Sequence, residues 1–290
     1  MKMWLRVLID AGIIIFTLTV LLGWRAIMPV RMPDNLVPSD LGLPYDDIVL
    51  ETLDGVRLSG WLIPSEKSRG TVICLHGYPA NKSDILPVVS FLHPDFSLLL
   101  FDFRAHGRSG GKITYFGLKE FIDVDSAIRF IRSRENLKDK KTGIWGYSMG
   151  GAVGIIASAR YDDIDALVTD SAFANFPEMV THYYGNLGPL KYLFSGLSII
   201  LGRYALGFDF FENSPENFIA NIRCPVLIIH SEQDKFVPYE HAQRLYAKAP
   251  QPKKLLTVRG EHTGPDRAFA ADYQDAVRKF FLQHLNHQAR

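Results

Sequence analysis

The sequence predicts an α/β fold, a mostly parallel sheet with helices on both faces. Short apolar runs bounded by turn residues recur along the chain, with helical patterns between them. One run, 141–145, passes through Gly146-Tyr147-Ser148-Met149-Gly150 into a small, apolar stretch at 151–159, reading as strand, sharp turn and packed helix. The 290 residues, 47% apolar and 22% charged, are enough for a sizeable core. A formal net charge of +1 without a dense Lys/Arg block argues against a nucleic-acid surface. Cys74 and Cys224 sit inside apolar runs and read as buried free thiols.

Residues 1–28 read as a membrane anchor. From 4 to 24 the chain is mostly apolar, interrupted by Arg6 and Asp10, which lie four apart and could pair on a helix. With the Trp4 and Trp24 ends this supplies about the ~20 residues that span a bilayer. No small-x-small cleavage site follows Leu22, so an uncleaved transmembrane helix is favoured over a signal peptide, with an interfacial helix next. Lys2 and Arg6 before the span balance Arg25 and Arg31 after it, so charge does not set the side on which the rest of the chain lies. Pro29, Pro33, Pro38 and Pro44 mark 29–46 as an extended linker. A folded domain then occupies 47–290.

Within it, 47–53 and 56–63 form strands joined by the hairpin signal Asp54-Gly55. The run 71–75 is the first buried parallel strand, followed by a helix over about 83–92. A strand over 96–103 runs into a loop reaching Gly111. Leu118, Phe121, Ile122, Ile128 and Ile131, three or four apart with few exceptions, mark the next helix. After the 141–159 unit come a strand at 165–168, ending near Asp170, and another at 225–230, ending in Ser231-Glu232-Gln233-Asp234. A helix over 239–248, a strand over 254–258 ending at Gly260-Glu261-His262, and a helix carrying Phe269, Tyr273, Val277, Phe280, Phe281 and Leu285 complete the pattern. One segment breaks the alternation: 174–223 is far longer than an ordinary connection and rich in aromatic and apolar residues, so it reads as a helical cap over the strand ends.

The pentapeptide at 146–150 fits G-x-S-x-G. In a strand–turn–helix context this pattern presents a serine at a helix N-terminus, and side chains at 146 or 150 would collide with the neighbouring strand and helix. Taken with His76-Gly77-Tyr78-Pro79, the loop 102–109, the strand 224–230 with Asp234, and Gly260-Glu261-His262, the chain resembles the α/β-hydrolase superfamily over about 47–285. Within it, the chain looks like the Bem46-like group of membrane-anchored serine hydrolases. Ala105 departs from the commonest pattern, where glycine precedes the His-Gly of that loop.

That resemblance implies a serine esterase or thioesterase acting on a small or lipid-like acyl substrate, with no cofactor and no metal. Ser148 is the candidate nucleophile, His262 its base and Asp234 the acid that holds the imidazole tautomer. Asp170 competes for the acid role, since some members place the acid after the earlier strand. The backbone N–H groups of Met149 and Tyr78 are the candidate oxyanion donors, and the cap would line an acyl pocket. His76 reads as a loop-fixing residue, and His106 as having no part in proton transfer. Two rival functions are a serine peptidase of the aminopeptidase type and a hydrolase-like binding protein without catalysis.

Overall fold

In the computed structural model, which describes residues 2–262 and 270–286, eight strands form one sheet. They are β1 (Asp46–Glu51), β2 (Arg57–Ile63), β3 (Thr71–Leu75), β4 (Ser97–Phe101), β5 (Thr142–Tyr147), β6 (Ala166–Asp170), β7 (Val226–Ser231) and β8 (Lys253–Val258). Their order is β1-β2-β4-β3-β5-β6-β7-β8. The hairpin makes β1 and β2 antiparallel, β2 pairs antiparallel with β4, and the pairings from β4 through β8 are parallel. Strands β3, β4, β6 and β7 are buried along their whole length. Helices on both faces cause this, so these strands read as continuous apolar runs rather than as alternating ones.

Eight α-helices accompany the sheet among the described residues: α1 (Lys2–Ile27), α2 (Lys82–Val89), α3 (Phe121–Arg132), α4 (Met149–Arg160), α5 (Phe176–Tyr183), α6 (Lys191–Leu206), α7 (Glu240–Lys248) and α8 (Ala271–His284). Neighbouring strand residues send their side chains to opposite faces. Ile73, Leu99 and Ile144 join α3, α4 and α7 on one face, while Val72, Leu98 and Trp145 join α2 and α8 on the other. Helices α5 and α6 lie between β6 and β7, within 174–223, over a third apolar cluster that includes Phe173, Phe176 and Phe210. The last helix carries Tyr273, Val277 and Phe281 into the core; Phe269 lies outside the described residues. Both cysteines are buried free thiols, and burial pushes their pKa values up, that of Cys224 to about 12.

Two boundaries differ from the sequence expectation for identifiable reasons. Asp102 and Phe103 directly follow the apolar run of β4 but lie outside the strand, which ends at Phe101. The Phe103 N–H donates to His76 Nε2 at 2.9 Å, and the Asp102 carboxylate turns inward to Lys82. The stretch 29–37 is irregular but fastened to the domain. Arg31 donates to the carbonyls of Gly107, Ser109 and Gly111. The Asn81 amide donates to the carbonyls of Met32 and Pro33, both at 3.0 Å, and the N–H groups of Asn35 and Leu36 donate to Ser83 Oγ.

At the centre of that attachment lies Lys82. Its side chain is fully buried, its ammonium 2.8 Å from Asp102 and 3.0 Å from Asp34, and 4.5 Å from the Trp61 ring centroid. Both carboxylates are buried as well. Lys82→Met would leave them without this counter-charge, which costs about 3–5 kcal/mol when one partner of a buried pair is removed. Thermal unfolding of the full chain in detergent should register that loss; a change below about 1 kcal/mol would show the cluster to be stabilised by other means.

Candidate active site

Strand β5 ends at Tyr147 and α4 begins at Met149, leaving Ser148 alone at the turn with φ 52° and ψ −115°. A side chain at such a backbone conformation costs about 1–3 kcal/mol, so the surroundings must impose it. The Ser148 N–H donates to the Asp170 carbonyl at 2.8 Å, and the Ser148 carbonyl accepts from the Ala152 N–H at 3.1 Å. The flanking glycines are required by space. A Cβ on Gly146 would fall on the backbone of Gly150, and one on Gly150 would fall on the carbonyls of Leu75 and His76. No flexible side chain could move aside there. Gly150→Ala should therefore cost about 3 kcal/mol or more, whereas Gly185→Ala, where nothing lies within 4 Å, should be nearly neutral. Equal melting temperatures for the two variants would contradict this account of the turn.

Around the turn, three side chains from three separate loops meet. Ser148 Oγ lies 3.0 Å from His262 Nε2, and His262 Nδ1 lies 2.6 Å from Asp234 Oδ2. With Nδ1–H donating to Asp234, Nε2 is left to accept the serine hydroxyl proton. Asp234 follows β7, and its other oxygen accepts the N–H groups of Phe236 at 2.9 Å and Val237 at 2.8 Å, which pins the carboxylate. Burial pushes the Asp234 carboxyl up, but the hydrogen bond and charge of His262 and the Val237 N–H outweigh it, and the group stays below its ordinary pKa. Ser148 and His262 are 8% and 9% exposed, so a small opening reaches them.

Asp170 sits elsewhere in this neighbourhood. One of its oxygens accepts the Tyr273 hydroxyl at 2.9 Å and the other the Ser171 hydroxyl at 3.2 Å, and the Tyr273 oxygen in turn accepts the Trp145 indole N–H at 3.0 Å. The loop after β3 runs directly against the turn: a Cβ on Gly77 would lie 3.2 Å from the Cβ of Ser148. Gly77 thus lies beside Ser148 in space, and Met149 follows it in sequence. His76 is fully buried, with Nδ1 bonded to the Gly77 carbonyl at 2.8 Å and Nε2 to the Phe103 N–H. Burial holds its pKa well below the ordinary value, so it stays neutral and ties two loops together. His106 bonds the Arg104 carbonyl through Nδ1, and burial lowers its pKa too.

Aromatic rings wall the site. Phe236 lies against the His262 imidazole with ring centroids 5.0 Å apart, and Tyr147 does so at 5.3 Å while its hydroxyl donates to the His262 carbonyl. Phe116 stacks beside Tyr78 at 5.1 Å, and the Tyr78 hydroxyl donates to the carbonyl of Ala26 near the end of α1 at 2.8 Å. Tyr147 was accessible from its place inside the pentapeptide; Phe236 and Phe116 lie in turns without periodicity. Among the described residues, no group of three His, Cys, Asp or Glu side chains is placed to hold a metal ion.

Residues 70–196 match the alpha/beta hydrolase fold family model. The Escherichia coli (strain K12) protein YfhR is 32% identical over 270 residues, covering 88% of this chain and 87% of its own. The Saccharomyces cerevisiae membrane protein YNL320W is 24% identical, covering 85% and 82%. Among solved structures, the Pyrococcus furiosus esterase Pf2001 superposes with a TM-score of 0.76 at 28% identity, covering 90% of this chain and 99% of that one.

Proposed function

Because the chain belongs to the α/β-hydrolase family, we propose that it is a serine hydrolase cleaving an acyl ester or thioester through an acyl-enzyme. The single observation that carries this reading is the unbroken run of hydrogen bonds from Ser148 through His262 to Asp234. Likeness to the Pf2001 esterase supports the substrate class.

On this reading, Ser148 Oγ attacks the carbonyl carbon while His262 Nε2 takes its proton. Asp234, held ionised by its hydrogen bonds, keeps the imidazole oriented and stabilises the imidazolium. Negative charge develops on the carbonyl oxygen, which the backbone N–H groups of Tyr78 and Met149 would meet at the N-terminus of α4. Collapse expels the alcohol or thiol, protonated by His262. Water then attacks the acyl-serine with His262 as base, releasing the acid and restoring Ser148. The aromatic cluster under α5 and α6 would receive the acyl chain. No cofactor enters any step.

Helix α1 would hold the enzyme to a membrane: it is long and apolar enough to cross one, and most of its surface is exposed. Two measurements on the full chain test the whole reading. A fluorophosphonate probe should label it, and p-nitrophenyl esters should be hydrolysed with an initial burst of acyl-enzyme. The expressed protein should pellet with membranes and stay there through a carbonate wash. An unlabelled, inactive protein would sink the hydrolase, and a wholly soluble one would sink the anchor.

A further inference from the structure

Helix α1 does not stand clear of the domain. Its exposed stretch is residues 3–14; from Ile15 onward the face formed by Ile15, Thr19, Leu22 and Ala26 is wholly or partly covered, and α1 lies against α6. At 1.5 Å per residue, residues 3–14 extend only about 18 Å beyond the contact. A hydrocarbon core is about 30 Å thick. Inserting α1 far enough to bury its apolar length therefore brings α6 to the membrane with it.

The outer surface of α6 suits that position. Tyr192, Leu193, Ile200 and Tyr204 project within one arc of the helix and are exposed, Ile200 by 55% and Tyr204 by 85%. The preceding Leu190 is exposed too. Between 187 and 206 there is no acidic residue; Lys191 and Arg203 are the charges, and Arg203 pairs with Asp209 at 2.9 Å. Tyrosines beside leucine and isoleucine, with the exposed Trp24 on the neighbouring α1, are what membrane–water interfaces collect, and basic side chains there snorkel towards headgroups. Because α1 and α6 touch, their exposed apolar residues lie on neighbouring helices.

We infer that α6 is an interfacial helix that lays its Tyr192–Tyr204 face into the lipid bilayer beside α1. The cap, rather than α1 alone, then seats the domain on the membrane. The inference rests on α1 being the membrane anchor, not on the hydrolase reading, and makes the bilayer the source from which an acyl substrate enters beneath the cap.

The test uses the full chain reconstituted in phosphatidylcholine–phosphatidylglycerol vesicles. Ile9→Cys, Ile200→Cys, Tyr204→Cys and Lys279→Cys are each labelled with an environment-sensitive fluorophore, the two native cysteines being buried. Labels at 9, 200 and 204 should emit to the blue, be quenched by nitroxide-bearing lipids and resist aqueous iodide. The label at 279, on α8, should do the reverse. Iodide quenching at 200 and 204 equal to that at 279, with 9 still in lipid, overturns the cap's part and leaves the anchor standing. All four labels in water overturn both. Labels at 200 and 204 shielded from both quenchers mean that a second copy covers the face, which also overturns the inference. Fluorophosphonate labelling of the same samples reports separately on the hydrolase.

Discussion

Ser148→Ala should abolish fluorophosphonate labelling and lower kcat on a soluble ester by about 10⁵–10⁶-fold, the scale on which loss of a serine nucleophile acts in an enzyme of this chemistry. Binding should change far less, because the pocket walls and the backbone donors stay in place. Stability should hardly move. The hydroxyl is near the surface of the site, and alanine meets the same backbone conformation that serine does, φ 52°. Ser148→Gly separates the two effects further. Glycine removes strain of about 1–3 kcal/mol at such a position, against about 0.4–1 kcal/mol of added freedom in the unfolded chain. The glycine variant should therefore be equally inactive and at least as stable as the parent. Residual labelling of either variant would place the nucleophile elsewhere. A glycine variant that melts well below the alanine variant would show that the turn is not strained.

Asp234→Asn should be the second large loss, approaching the ~10⁴-fold known for the corresponding change in the serine-protease template. An asparagine can still accept the N–H groups of Phe236 and Val237 through its oxygen. It then presents an NH₂ group to His262 Nδ1, which favours the tautomer with the proton on Nε2, where Ser148 needs an acceptor. Asp170→Asn should instead act through stability, by about 1–3 kcal/mol, because its side chain accepts the Tyr273 hydroxyl in a buried network. Its backbone carbonyl, which receives the Ser148 N–H, is untouched by the change. The decisive measurement is kcat of both variants on one soluble ester, with the folded fraction fixed by circular dichroism. A larger loss from Asp170→Asn than from Asp234→Asn would reverse the acid assignment.

Local chemistry explains how much could be read from the residues alone. The pentapeptide at 146–150 and the apolar runs of β3 to β7 are short-range patterns, and each survives in the fold as a local element. The order Ser148, Asp234, His262 instead names side chains 28 and 114 residues apart, which only the tertiary fold brings together. Strand ends were less legible, because Asp102 and Phe103 directly adjoin the apolar run of β4 while His76 in the loop after β3 and Lys82 at the start of α2 hold them out of the strand. Nothing in the sequence around Lys82 distinguishes it from a solvent-facing lysine. Its partner Asp34 lies 48 residues away, in a stretch whose prolines indicated only an extended path. The walls of the site were hidden for a similar reason. Phe236 and Phe116 reach His262 and Tyr78 through tertiary folding, and nothing in a turn's composition says what its aromatic ring will touch. An apolar run likewise reports that α1 avoids water, and is silent on which of its faces another helix will cover.

The contact between α1 and α6 also sets an order of events during synthesis. At about 5–20 residues per second, α6 is completed on the order of 10–40 s after α1. For that interval the first helix is without the α6 surface it later lies against. Asp34 waits a shorter time for Lys82, and the Ala26 carbonyl waits for Tyr78. The chain's earliest element thus waits for a partner made much later; as the proposed anchor, it would already lie in lipid when the domain closes onto it. A mutation that weakens the covered face of α1 would be felt at this docking step, whose partner α6 is made before β7 and β8 are added to the sheet.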